Sequence, residues 1–170
     1  MKYCHLTIAN ANAKNFTAGL IAKVEEAYSL AKGNLTGKIV VTKTLSELEK
    51  AIETYKDENP DFVGILSGDG GVMHARTLIE NIWEHRPRYA LFPGGTMNNI
   101  QRAVGAKKGK SSTIKLAKYI AAKANSGELE HATVSLPSLE INGRKGFNIG
   151  LGLVPKLLWM YYGKSVEHYT

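Results

Sequence analysis

The sequence contains a single cysteine, Cys4, which excludes an internal disulfide and leaves no paired thiols for a structural zinc site. Cys4 reads as a buried strand residue. His5, His85, His131 and His168 fall at no metal-ligand spacing, so they suggest no zinc site either. No apolar run approaches the ~18 residues that a membrane-spanning helix needs, and Met1–Asn10 lacks the charged-then-apolar layout of a signal peptide. A cytoplasmic protein is expected. The densest basic stretch, Lys107-Lys108-Gly109-Lys110, has no aromatic residues interleaved for base stacking and reads as a solvated loop, so nucleic acid is not an expected partner.

What is present fits an ordinary globular chain. The 170 residues suffice for one core with room for part of a second unit, and not for a large two-domain enzyme. Apolar residues make up 44% and charged residues 22%, which excludes a disordered tail and a coiled coil. The formal charge of +7 attracts phosphates, nucleic acid or the anionic inner leaflet without choosing among them. It is compatible with transient peripheral contact with the inner membrane surface, although no amphipathic anchor stands out. Oligomeric state is not legible.

Strand and helix patterns alternate along the chain. Tyr3 to Ile8 is an apolar run ending in Asn10-Ala11-Asn12-Ala13, and Phe16, Leu20, Val24, Ala27 and Ala31 follow at helical spacing. Lys38 to Thr42 is strand-like, and Thr44-Leu45-Ser46-Glu47 has capping-box spacing ahead of Leu48, Ile52 and Tyr55. Phe62 to Leu66 is a continuous apolar run, as in a strand covered on both faces, and it stops at Ser67-Gly68-Asp69-Gly70-Gly71. A helix is expected from Met73 to Trp83, a strand from Tyr89 to Phe92, a loop at Pro93-Gly94-Gly95-Thr96, a short helix from Asn98 to Val104 and a longer one from Thr113 to Ala124. The expected fold is α/β, a three-layer, mostly parallel sheet with helices on both faces, binding ligands at the carboxyl ends of its strands. After Gly127 the pattern changes. Ala132, Val134 and Leu136 alternate with polar residues, and Asn142-Gly143 has the form of a hairpin turn. Residues 1–127 therefore read as one α/β domain and 128–170 as the start of an antiparallel β unit too short to stand alone, with an unpartnered apolar stretch from Leu157 to Tyr162.

Two glycine-rich segments carry the chemistry. Glycines directly after a buried strand let the backbone approach a phosphate, whose charge the N–H groups and the next helix's N-terminus stabilise. A carboxylate there repels bare phosphate, so Asp69 makes sense when a divalent cation joins the two, which is how magnesium is usually held. The bland alternative is a tight turn built of favoured turn residues. Pro93-Gly94-Gly95-Thr96-Met97-Asn98-Asn99 offers a second glycine pair, a hydroxyl and two amides for phosphate, or else a helix N-cap by Thr96 or Asn98. Two such loops on successive strands open onto one sheet edge and together favour a nucleotide site. His74 adjoins the first loop, though a lone histidine there is more often an ordinary polar residue. Gly105–Ser111 is one residue short of a P-loop and follows a helix pattern. Gly150-Leu151-Gly152 lacks the third glycine of a dinucleotide fingerprint, having Pro155 there.

Ser67-Gly68-Asp69-Gly70 and Pro93-Gly94-Gly95-Thr96-Met97-Asn98-Asn99, with Arg102 and Ala103-Val104-Gly105 beyond, resemble the catalytic domain of diacylglycerol and sphingosine kinases. NAD kinases and phosphofructokinases share a similar first loop, but the second is more particular to the lipid kinases. Asn10 and Thr42 match strand-closing residues of the family, and Phe147–Gly152 the start of its second domain, a β-sandwich. The resemblance implies an ATP- and magnesium-dependent transfer of the γ-phosphoryl group to a lipid hydroxyl. Asp69 would position the metal and act as the catalytic residue. Asn10, Thr42, Gly68, Asp69, Gly70, Gly71, His74, Gly95, Thr96 and Asn98 would hold the nucleotide, with Asn10 and Thr42 near the nucleoside. Gly71 stands where threonine is usual, Met73 and His74 where asparagine and glutamate are common, and Asn99 where aspartate is. The alternatives are a non-catalytic ATP-binding module and an enzyme that phosphorylates NAD.

Overall fold

The computed structural model describes residues 2–107 and 109–147. The elements follow in the order β1 (Tyr3–Asn10), α1 (Ala18–Ser29), β2 (Leu35–Thr42), α2 (Leu45–Thr54), β3 (Phe62–Ser67), α3 (Asp69–Ile82), β4 (Arg88–Pro93), α4 (Asn99–Ala103) and α5 (Lys110–Ser126). A hairpin of β5 (Leu139–Ile141) and β6 (Arg144–Gly146) comes last. The four main strands form a sheet in the order β2-β1-β3-β4, every neighbouring pair parallel.

Alternation along β1 and β3 divides their side chains between two faces. Tyr3, Ala9, Phe62 and Leu66 pack with α1 and α5 through Leu20, Val24, Tyr28, Ala117, Ile120 and Ala121. Leu6, Ile8, Val63 and Ile65 pack on the other face with Leu48 and Ile52 of α2, Val72, Ala75 and Ile79 of α3, and Ile100 of α4. Every residue of β3 is buried, as a central parallel strand requires. The expected three-layer architecture is the observed one. Cys4 is only partly buried.

Local chemistry accounts for the helix starts. Thr17 accepts a hydrogen bond from Leu20 N at 3.2 Å at the head of α1, and Thr44 accepts one from Glu47 N at 3.1 Å at the head of α2. The Glu47 carboxylate reaches back to Lys43 N at 2.6 Å, one residue before the cap, so the box closes one position early. At the other end of the domain, α5 stops at Gly127 in the left-handed region, φ 72°.

Two further expectations change. Gly68–Gly71 is not a loop ahead of a helix beginning at Met73. Gly68 is the cap and Asp69, Gly70 and Gly71 are the first turn of α3. Glycine is poor in a helix interior, but the first turn has no intrahelical N–H bond to lose. The alternating segment Ala132 to Leu136 is not a strand, because no described strand pairs with it to satisfy its backbone. The hairpin turn is as read: Asn142 (φ 49°) and Gly143 (φ 73°) both occupy the left-handed region that a type I′ turn needs. Asn148–Gly152 and Leu157–Tyr162 lie outside the described residues.

Candidate functional site

The sheet places its switch point at β1. The chain leaves β1 for β2 on one side, and β3 then pairs on the other, so a crevice opens at the carboxyl ends of these strands, where ligands of such sheets bind. Asn10, at the end of β1, lies in register with Thr42, at the end of β2. A cleft of ≈ 230 Å³ occupies this crevice, lined by Asn10, Thr42, Ser67, Gly71 and His74, with Lys43 and Thr44 at one side and Ile8, Leu48 and Ile65 among its apolar walls. Four of the sequence-derived residues, Asn10, Thr42, Gly71 and His74, thus come together from three different elements.

Asn10 is held firmly within the cleft. Its Oδ1 accepts from Asn12 N at 2.8 Å, and its Nδ2 donates to Ser67 Oγ at 3.2 Å across the switch point. Asn12 Nδ2 in turn donates to Lys43 O at 2.7 Å, which ties the β1 and β2 ends into one rim. Gly70 is exposed on the first turn of α3, and Gly68 and Asp69 are half-buried beside it. The N–H groups of this turn have no intrahelical acceptors, and the helix dipole favours negative charge there.

The second glycine segment packs on the first, backbone against backbone. A Cβ at Gly94 would lie 2.8 Å from Ser67 Cα and N, and one at Gly95 would lie 2.6 Å from Gly68 Cα. Gly94 N donates to Ser67 O at 3.0 Å, and Gln101 Nε2 donates to the same carbonyl at 3.0 Å. Asn98, buried and at φ 53°, folds its side chain back onto Gly95, accepting from its N–H at 2.7 Å and donating to its carbonyl at 2.8 Å. Asn15 adds two bonds of 3.2 Å to the carbonyls of Pro93 and Gly95. Part of what makes these glycines look like phosphate-binding residues is therefore explained by this close approach.

Asp69 joins the two segments. Its Oδ2 accepts from Asn99 N at 3.0 Å and its Oδ1 from Ile100 N at 3.0 Å. The carboxylate thereby caps α4 from the neighbouring segment, so neither Thr96 nor Asn98, the bland alternative, supplies that cap. Asn98 sits at the cap position, but its side chain makes no capping bond. Each Asp69 oxygen retains acceptor capacity. Gly68, Asp69, Gly70, Gly95, Thr96 and Asn98 do not line the switch-point cleft, and Thr96 is exposed.

Three residues at this site are not singled out by the sequence. Ser67 belongs to the first motif, where the glycines carry the stronger signal. Lys43 follows Thr42 at a strand end, a position that could have marked it, and it brings the cleft a cation. Asn15 carries no local signal, since its partners are about 80 residues away, |i−j| = 78 and 80.

Residues 5–132 match the family model described as the diacylglycerol kinase catalytic domain. The chain belongs to this family. Two solved structures from Bacillus anthracis str. Sterne agree with the assignment. One, described as a diacylglycerol kinase, is 25% identical with a TM-score of 0.59, and another from the same organism is 26% identical with a TM-score of 0.58. Each match covers 72% of this chain and 43% of the other, so the chain spans less than half the length of these diacylglycerol kinase structures. No curated protein matches the chain significantly. The parallel sheet with flanking helices is the diacylglycerol kinase-like fold, and the family is one of kinases.

Proposed function

We propose that this chain carries the nucleotide-binding part of an ATP-dependent lipid kinase, whose reaction is transfer of the γ-phosphoryl group to a lipid hydroxyl. One observation carries the reading. In a chain of the diacylglycerol kinase catalytic domain family, the ends of three adjacent strands and the first turn of α3 converge on one cleft at the switch point. Asn10 and Thr42 lie toward the nucleoside. The open N–H groups of Gly70 and Gly71, with the α3 dipole, hold phosphate, and Lys43 adds a positive charge. Thr96 holds phosphate from the second loop. Gly95 and Asn98 act by keeping that loop closed on itself.

Asp69 fits a magnesium ion as a half-exposed carboxylate with acceptor capacity left on both oxygens, matching a metal held mainly by substrate oxygens and water. When bound, the ion would neutralise charge on the phosphate oxygens. Residues 128–170 are read as the opening of a second, β-rich domain that supplies lipid contacts, with the β5-β6 hairpin as its first piece. The protein is read as cytoplasmic, meeting its lipid at the inner membrane surface.

A second reading, a non-catalytic ATP-binding module, is favoured by one feature: both Asp69 oxygens already serve as the bracket between the loops. Calorimetric titration with ATP plus magnesium, ATP plus EDTA, and NAD separates the cases, followed by phosphoryl transfer to lipid in mixed micelles. Binding that needs magnesium, accompanied by transfer, supports the kinase. Magnesium-independent binding without transfer supports the module, and binding of NAD alone overturns both. Asp69→Asn by itself is ambiguous for the metal, because its NH2 group would face a backbone N–H. It is expected to lower unfolding free energy by roughly 1–3 kcal/mol even without ligand, measurable in urea melts.

A further inference from the structure

A second and larger cleft, of ≈ 870 Å³, lies along the outer edge of β4, which among the described strands pairs with β3 alone. It shares no lining residue with the switch-point cleft. Leu91 of β4, Leu116 of α5, Leu136 and Phe147 give it apolar walls. Its charge is of one sign: Arg76, Arg88, Lys107 and Lys115 line it, and among the described residues no aspartate or glutamate does. Arg88 already faces Glu130 at 3.8 Å. Lys107 and Lys115 are exposed and enter none of the ion pairs among the described residues. Arg76 holds Glu80 through Nε and Ser138 Oγ through Nη2 at 2.9 Å, with its guanidinium 4.8 Å from the centre of the Phe147 ring. Its Nη1 is buried and has no hydrogen-bond partner among the described residues, a cost that an acceptor would recover. The first turn of α5 has no side-chain cap, so its N–H groups and dipole favour an anion beside Ser111 and Lys115, which lie one turn apart on the cleft.

From this we infer that the β4-edge cleft is an accessory binding site for a single-chain anionic amphiphile, an apolar chain ending in phosphate or carboxylate. Pockets for small organic ligands run to about 300–1,000 Å³ and combine apolar walls with a few polar groups, as this one does. A second copy of the chain is a poor occupant, because it brings the same cations and a net charge of +7 to the same edge. Leu91 and Leu116 belong to the α/β domain, whereas Leu136 and Phe147 follow it in the chain, so a ligand lying between them ties the two parts together. Nothing in this depends on the nucleotide site.

The test titrates the full chain with decyl phosphate below its micelle concentration, read by calorimetry and by hydrogen exchange. One equivalent is expected to bind and to slow exchange in residues 132–136. Decanoate, run in parallel, shows which head group the site prefers. Inorganic phosphate and decyltrimethylammonium are expected not to bind. Octyl phosphate, two methylenes shorter, should bind roughly tenfold more weakly. Lys107→Glu combined with Lys115→Glu should weaken decyl phosphate roughly tenfold or more while the ligand-free unfolding midpoint stays in place.

Equal binding of decyltrimethylammonium, or affinity that survives the double charge reversal, would overturn the site as one for anions. Inorganic phosphate binding as tightly as decyl phosphate, or no dependence on chain length, would overturn the amphiphile. The chain-length series uses the wild type alone and so stands even where a substitution disturbs the fold. Absence of binding by both decyl phosphate and decanoate, as when residues 157–162 fill the cleft themselves, would overturn the inference outright and leave the proposed function untouched.

Discussion

His5 shows how far one buried residue can set the pH response of the fold. It lies between Tyr28, with ring centroids 4.6 Å apart, and Phe62, at 5.6 Å. Its Nδ1 is 3.2 Å from Thr7 Oγ1, which is itself 3.3 Å from the Tyr28 hydroxyl. Burial lowers the imidazole pKa from 6.5 to about 4. Between those values the unfolded chain binds a proton that the native chain refuses. Stability is therefore full above pH 6.5, falls as the pH drops, and the loss is complete near pH 4. Its full size is roughly 3 kcal/mol, since each tenfold loss of proton affinity corresponds to about 1.4 kcal/mol. Urea melts at closely spaced pH values should show this slope, and His5→Gln, which cannot take up the proton, should flatten it. Sequence patterning could not anticipate any of this, because His5 showed only that it lacked ligand spacing, and its ring partners are remote along the chain.

At the scale of elements, caps and clamps decide how well each piece is held. Thr44→Ala removes the acceptor for Glu47 N and is expected to cost about 1 kcal/mol, seen as a lower urea midpoint with an unchanged slope. The β5-β6 hairpin is clamped to α3 through Glu80, which pairs with Arg76 on its own helix and with Lys145 of β6 at 3.0 Å. Thr77 Oγ1 adds an acceptor for Lys145 N at 3.0 Å. Burial by itself would raise the Glu80 pKa, but hydrogen bonds and charge from Arg76 and Lys145 outweigh it and hold the carboxyl below its usual value. The contribution is thus present above the ordinary carboxylate range and is lost on acidification through the lowered pKa. Glu80→Gln takes the shared anion from two largely buried cations, leaving Lys145 only the exposed Glu140 at 3.9 Å. Its cost should fall between the ~1 kcal/mol of a surface pair and the ~3–5 kcal/mol of a buried one. Hydrogen exchange should show the loss first as opening of Arg144–Gly146, with the sheet still protected.

Most elements were legible from period and capping. The α3 start was not, because Gly70 and Gly71 argue against helix until the first turn is recognised as needing no internal N–H bond. Ala132–Leu136 misled in the opposite way, since alternation specifies a face but cannot supply a partner strand. At the site, Asn10 and Thr42 came from resemblance and proved to sit side by side in register. Ser67, Lys43 and Asn15 were missed because their importance is a matter of which strand ends the topology brings together.

For the whole molecule, the decisive feature is the position of β1. It is an interior strand with parallel neighbours on both sides, and it pairs His5 with Gly37 in β2 and with Phe62 in β3. The face under α1 is closed only when α5 packs on it. Folding during synthesis must therefore wait. Cys4 and its partner Asp61 are separated by |i−j| = 57, and at about 5–20 residues per second that interval is ~3–11 s. Throughout it, Leu6 and Ile8 have emerged or are emerging while the strand that buries them is still unmade, and Leu20 and Val24 wait longer still for Ala117 and Ile120. The same strand arrangement that places the cleft at the centre of the sheet leaves β1 without its second neighbour until β3 is made, and the face under α1 uncovered until residue 126 is out.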